Sequence, residues 1–232
     1  GNDPTAVPLV PVTVRRGRTL AVSANGPGTA LTDRTFLFRT DVATIALQAD
    51  ASAYLYALTV NGIPQPGTYD FSTVSRTLSF SRLAENKNIC AWFTYRTWTL
   101  TVASPYGTAT PSVGSYTYTH GTVIQASVTS PVFETGGLTQ YFCSGWLLSG
   151  HSPKAGTATQ VAFSLTNDAT LAWLWQTNHF LYALADSNGS VTPPTGWYHA
   201  GQSVCVTALP ASYYHCSAWL GDTDGGTIDG AF

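Results

Sequence analysis

The stretch that decides the fold begins Trp98-Thr-Leu-Thr-Val102, continues through Gly107-Thr-Ala-Thr-Pro111 and Gly121-Thr-Val-Ile-Gln-Ala-Ser-Val128, and reaches Tyr141-Phe-Cys-Ser-Gly-Trp146. Val161-Ala-Phe-Ser-Leu165 and Ala169-Thr-Leu-Ala-Trp-Leu-Trp175 complete it. The chain then repeats itself as Phe180-Leu-Tyr-Ala-Leu184, Gly189-Ser-Val-Thr-Pro193, Ala200-Gly-Gln-Ser-Val-Cys-Val-Thr-Ala208 and Tyr214-His-Cys-Ser-Ala-Trp219. Gly107 recurs as Gly189, a shift of 82, and Trp146 as Trp219, a shift of 73, so the copies differ in loop length. A fainter copy precedes both: Thr19-Leu-Ala-Val22, Gly28-Thr-Ala30, Thr44-Ile-Ala-Leu-Gln-Ala49, Thr77-Leu-Ser-Phe80 and Ala91-Trp-Phe93. Self-similarity at a period of about 80 residues marks a tandem array.

Every matched segment is short, rich in β-branched and aromatic residues, and bounded by Gly, Pro, Asn or Asp, which is how strands read in sequence. Asn25-Gly26, Asn61-Gly62 and Asn188-Gly189 are turn dipeptides. No window has the periodicity of an amphipathic helix, and Ser81 to Asn88 offers one helical turn at most. The predicted fold is therefore mainly β, built of tandem small β-rich modules. Residues 1–17 form an N-terminal extended segment, 18–96 a divergent first module, 97–177 the second, and 178–232 a third. Trp92, Trp146, Trp173 and Trp219 recur at matching places and are expected in module cores.

The arrangement T-L-T-V, G-T-A-T-P, G-T-V-x-x-x-A-x-V and F-x-G-W, closing on A-x-W, resembles the bacterial InlB B-repeat-like family, which includes the divergent and Listeria–Bacteroides repeats. The resemblance spans about residues 18–220 and is stronger in the second and third copies than in the first. It implies compact β-rich modules, β-grasp-like or sandwich-like, in secreted or cell-surface proteins that serve as stalks, spacers or adhesive units. It transfers no catalytic residue.

Two departures from the repeat matter. Only 13 residues follow Trp219, so the third module is expected to lack its last one or two strands. Meanwhile Ala6-Val-Pro-Leu-Val-Pro-Val-Thr-Val14 is strand-like and has no counterpart within its own module. A sheet short of a strand exposes unpaired backbone and accepts a strand from another chain. Residues 5–14 of one subunit are therefore expected to complete the third module of the next through Val7, Leu9, Val10, Val12 and Val14. Such a head-to-tail contact does not close and builds a filament. Pro8 and Pro11 each remove a ladder donor and restrict which side can pair. The competing expectation is a spacer fragment of a larger secreted protein.

Composition narrows the function classes. Charged residues are 9% of the 232, against roughly a quarter in an ordinary soluble domain, while 44% are hydrophobic and 12% aromatic, so the chain folds and its polar surface is mostly hydroxyl and amide. A net charge of −2 and one short basic cluster, Arg15, Arg16 and Arg18, give no face for nucleic acid. No apolar run is long enough for a membrane-spanning helix. The chain starts at Gly1 and has no Met, as expected of a processed or excised segment, and processing favours export to the cell surface or beyond.

The search for chemistry nominates little. Ten Asp and two Glu lie mostly in turns and suggest no catalytic pair. Asp222, Asp224 and Asp229 among glycines lack the ligand order of an EF-hand, and His120, His151, His179, His199 and His215 lack zinc-ligand spacing. No catalytic residue, metal site or cofactor is expected, and the chain reads as no enzyme. Four cysteines allow three pairings; Cys205 with Cys216, across a turn at Pro210, and Cys90 with Cys143, between modules, form the favoured set, with four free thiols as the alternative. Trp98, Trp175 and Trp197 recur less than the other tryptophans and are candidates for surface contact with a glycan. Partners expected are the chain itself or a glycan, without nucleic acid.

Overall fold

Alternation in sequence becomes alternation in burial: Val42–Ala49 reads exposed–buried along its whole length, with Ala43, Ile45, Leu47 and Ala49 inward. The computed structural model describes residues 16–70 and 72–221; Val7, Leu9, Val10, Val12 and Val14, and likewise Asp222, Asp224 and Asp229, lie outside the described residues. It is all β among the described residues, as the strand patterning predicts. Two compact units divide it: residues 1–98 with 119–121, and residues 99–118 with 122–232.

In the first unit the strands are β1 (Arg18–Asn25), β2 (Gly28–Thr32), β3 (Phe36–Leu37), β4 (Val42–Ala49), β5 (Ala53–Val60), β6 (Ile63–Pro64), β7 (Ser75–Ser81) and β8 (Lys87–Tyr95). One sheet runs β3-β1-β8-β5-β6 and a second runs β2-β4-β7. Its first and last long strands, β1 and β8, lie side by side and parallel at the centre, paired from Leu20↔Lys87 to Asn25↔Trp92. Leu20, Leu37, Ile45, Leu47, Leu55, Ile89 and Phe93, drawn from both sheets, form one buried cluster. Asn61 and Gly62 both take positive φ, 52° and 79°, in the two-residue turn joining β5 to β6.

The second unit is built from β9 (Thr97–Ala103), which begins at the end of the first, β10 (Ala109–Thr110), β11 (Gly114–Thr119), β12 (Thr122–Val128), β13 (Val132–Phe133), β14 (Thr139–Leu148), β15 (Ala155–Gly156), β16 (Gln160–Leu165) and β17 (Ala169–Leu181). β18 (Gly189–Thr192), β19 (Gly196–His199) and β20 (Thr207–Pro210) follow. The large sheet runs β11-β9-β17-β14-β13 and the small one β10-β12-β16. Again the opening strand β9 is parallel to the closing strand β17, from Leu100↔Ala169 to Ala103↔Ala172, and β17 is antiparallel to β14. Leu100, Val102, Ile124, Val128, Trp146, Leu165, Leu171 and Trp173 are buried.

The Gly-Trp pair in β14 has a physical explanation. The ladder to β17 shifts between Cys143 and Gly145, and Gly145 takes φ +140° with Gly156 O where a Cβ would stand, 2.1 Å away. The next residue, Trp146, lies opposite Gly156 and its indole fills the space that a Cβ there would need. The bulge lets the backbone close in, and the indole covers the small residue.

The register corrects one expectation. Leu20 pairs with Lys87 and Leu100 with Ala169, so Ala91, not Trp92, stands where Trp173 stands. A slip of one residue reverses faces. Trp92 is accordingly 38% exposed, like its true counterpart Leu174, while Trp173 is buried at 3%. Trp219 is also outside the expected core: it is half-buried, and Tyr214–Trp219 is in no strand. Trp173→Ala is expected to cost about 3–5 kcal/mol in denaturant unfolding, and Trp92→Ala about 1 kcal/mol or less; equal costs would overturn this register.

Candidate functional site

The residues with the least explained exposure follow the end of the second core. By the 82-residue shift, Leu100 and Val102 correspond to Tyr182 and Leu184. The first pair is 0% and 1% exposed, the second 67% and 77%. Likewise Ala109, Ala126 and Val128 are buried, whereas Val191, Val206 and Ala208, in the matching positions, are only partly covered.

Strand pairing accounts for the difference. β17 runs on past the second core, and its last residues pair with β19, from Asn178↔His199 to Leu181↔Gly196. β18 pairs with β20 as β10 pairs with β12: Val191↔Ala208 and Thr192↔Thr207 match Ala109↔Val128 and Thr110↔Ser127. Beyond these, the described residues supply no strand opposite Tyr182–Ala185, the segment matching the parallel ladder of Leu100–Ala103. A side chain holds it instead: the Ala183 N–H donates to Thr195 Oγ1 at 2.9 Å, and that hydroxyl donates to Ala183 O at 3.0 Å. Tyr214–Trp219 matches β14 in sequence, and β14 lies between β17 and the hairpin strands, with no direct pairing to β9. Among the described residues, no strand pairs with this β14-like segment.

The three tryptophans named as contact candidates each have local partners. Trp98 donates its indole N–H to His120 Nδ1 at 2.9 Å in the first unit. Trp175 donates to Ser104 Oγ at 3.0 Å, meets the Tyr106 ring edge-on at 5.9 Å, and occupies the space a Cβ on Gly107 would need. Tyr106 also stacks on Tyr141 at 3.8 Å, and burial, with the Glu134 carboxylate nearby, raises the Tyr141 phenol above its ordinary pKa. Trp197 packs against Phe180 at 5.0 Å and Phe133 at 5.7 Å, and Phe180 continues to Tyr182 at 4.7 Å. This aromatic row was missed in the sequence because Phe133 and Phe180 come from distant segments. Trp175 and Trp197 are not brought into one cleft.

An open cleft of 360 Å³ is lined by Thr99, Thr101, Ser149, Asp168, Ala169 and Thr170. Its carboxylate is already engaged, since Asp168 Oδ1 accepts from the Thr99 N–H at 2.7 Å. No three His, Cys, Asp or Glu among the described residues converge to hold a metal ion.

All four cysteines are free thiols in the structure. Cys205 and Cys216 flank the turn at Pro210 without a bond between them, and the strand Thr207–Pro210 pairs with Gly189–Thr192. Cys90 Sγ accepts from Asn25 Nδ2 at 3.0 Å, and Cys143 is buried in β14.

With this geometry in view, the comparisons with known proteins are specific. Residues 181–229 match the family described as Divergent InlB B-repeat domain, a bacterial surface repeat. The match includes the exposed pair Tyr182 and Leu184. No curated protein and no solved structure matches the chain.

Thiol reactivity tests the cysteine geometry. Burial raises the Cys143 thiol above its ordinary pKa, so it carries less thiolate at any given pH and is expected to react with a thiol reagent at pH 8 only after unfolding. Exposed Cys205 is expected to react first. A Cys205 that stays unreactive until a reductant is added would show the disulfide to Cys216 instead.

Proposed function

We propose that the chain is a non-catalytic structural protein of the bacterial surface, an array of three tandem repeats that joins copies of itself head-to-tail. The supporting observation is the pair Tyr182 and Leu184, exposed where the second copy buries Leu100 and Val102. Covering two such side chains is worth roughly 1.5–3 kcal/mol each, and a strand that also satisfies their backbone adds ladder hydrogen bonds. Residues 5–14 of a neighbouring subunit, with Val7, Leu9, Val10, Val12 and Val14, are the donor in this reading. Head-to-tail contacts of that kind propagate into a filament or stalk. Sparse surface charge lowers the repulsion between stacked subunits.

A second reading is favoured by the row Phe133, Trp197, Phe180 and Tyr182, in which Phe133 and Tyr182 are 53% and 67% exposed. Exposed aromatic faces suit a sugar ring, so the same surface supports a glycan-binding or adhesive role. Saturable tryptophan quenching on a glycan panel would favour it, and a flat response would favour the structural role.

Negative-stain microscopy and light scattering of the full chain beside a variant lacking residues 1–14 test the first reading. Filaments or oligomers in the full chain only are expected. Monomers in both samples would overturn assembly.

A further inference from the structure

Within the second unit, Tyr106 and Tyr141 lie face to face, with ring centroids 3.8 Å apart and planes 8° from parallel. That is closer than the roughly 4.5–7 Å usual for aromatic pairs. Tyr116 and Tyr118, by contrast, stand 6.3 Å apart and tilted by 37°. The hydroxyls of Tyr106 and Tyr141 also interact, so the rings point the same way. The ortho carbons of one ring therefore face those of the other at about van der Waals contact. Each ring is held by its own frame. Ser104 Oγ donates to Tyr106 O at 2.6 Å and accepts from Trp175 Nε1 at 3.0 Å, which pins the loop between β9 and β10. The same loop is tight at Gly107, where φ is +69° and Thr129 O and the Trp175 indole occupy the place of a Cβ. Tyr141 is fixed in β14, opposite Val132 on one side and Thr177 on the other.

We propose that Tyr106 and Tyr141 form an oxidative cross-linking site, joined as dityrosine through their ortho carbons when a haem peroxidase and hydrogen peroxide act on the chain. Each phenol gives up one electron and one proton, and the peroxide takes up both pairs to become two waters. The two phenoxyl rings then join by a carbon–carbon bond, and the two displaced ortho protons move to the phenolic oxygens. The net change is one bond formed between the rings and two ring hydrogens lost. Tyr106 is 37% exposed and meets the oxidant first, while Tyr141 is reached through the stack. The chain has no methionine, so competition from sulfur is confined to four cysteines, of which Cys143 is buried. The bond would tie the β9–β10 loop to β14 and enclose β10, β11, β12 and β13 in a covalent loop. Such a tie lies inside one unit and stands whether or not copies of the chain assemble.

The test uses the full chain with its exposed thiols capped, as an equal mixture of isotopically light and heavy molecules, treated with a haem peroxidase and limiting peroxide. Tandem mass spectrometry of the digest is expected to find the Tyr106 and Tyr141 peptides joined with loss of two hydrogens, never light to heavy. The blue fluorescence of dityrosine should appear with them. Tyr106→Phe and Tyr141→Phe keep an aromatic ring in the stack and are each expected to abolish the link, whereas Tyr116→Phe should leave it unchanged. Cross-linked chain should show an unfolding constant for the second unit lowered by roughly a hundredfold or more, as expected for closing a loop of this length. Oxidation of the fully exposed Tyr213 without a link between 106 and 141 would overturn the proposal. So would a link that survives Tyr106→Phe, and links that join light to heavy chains would overturn the tie within one unit.

Discussion

The parallel pair of opening and closing strands is the contact on which each unit depends. β1 with β8, and β9 with β17, bring the two ends of about 75 residues together at the centre of the large sheet. Parallel strands cannot be joined by a tight turn, so the chain between them must include a crossover that packs over the pair. The small sheets β2-β4-β7 and β10-β12-β16 are that crossover. In the first unit their inward residues, Ile45 and Leu47 among them, bury the same cluster as Leu20 and Ile89. The outer strands depend on the pair in turn, since β5 and β14 reach the sheet only through the closing strand. Taking that strand away would expose the opening strand on one side and leave the outer strand unpaired on the other; among the described residues no strand lies opposite Tyr182–Ala185, and Tyr214–Trp219 is in no strand.

The larger pattern was legible in the residues because burial and backbone chemistry leave separate traces. Alternation in Val42–Ala49 and Thr122–Val128 gave strands that the structure contains, and Asn61-Gly62 gave a turn with two positive φ values. The match of Gly107-Thr-Ala to Gly189-Ser-Val became equivalent strand pairs, β10 with β12 and β18 with β20. What failed was register. Aligning Ala91-Trp-Phe93 on Ala172-Trp-Leu174 matched letters and missed the face by one position, since strand periodicity is two and similar residues flank the true match.

The candidate site was less legible, for a related reason. A sequence copy announces which segments resemble strands, but not whether a partner is present to pair with them. Tyr214–Trp219 has the letters of β14 and, among the described residues, no neighbour to make it a strand. The aromatic row through Phe133, Phe180 and Trp197 arises where β13 and β19 flank the large sheet, a neighbourhood that spacing along the chain does not reveal. Cys205 and Cys216 looked close across Pro210, yet the partner of that strand is Gly189–Thr192.

Amide hydrogen exchange at Tyr182–Ala185, compared between the full chain and the same chain without residues 1–14, tests the central claim most directly. If a strand from another copy pairs with Tyr182–Ala185, these amides exchange slowly in the full chain at high concentration and fast on dilution or deletion. Fast exchange in every sample, with β9 and β17 protected throughout, would contradict the account.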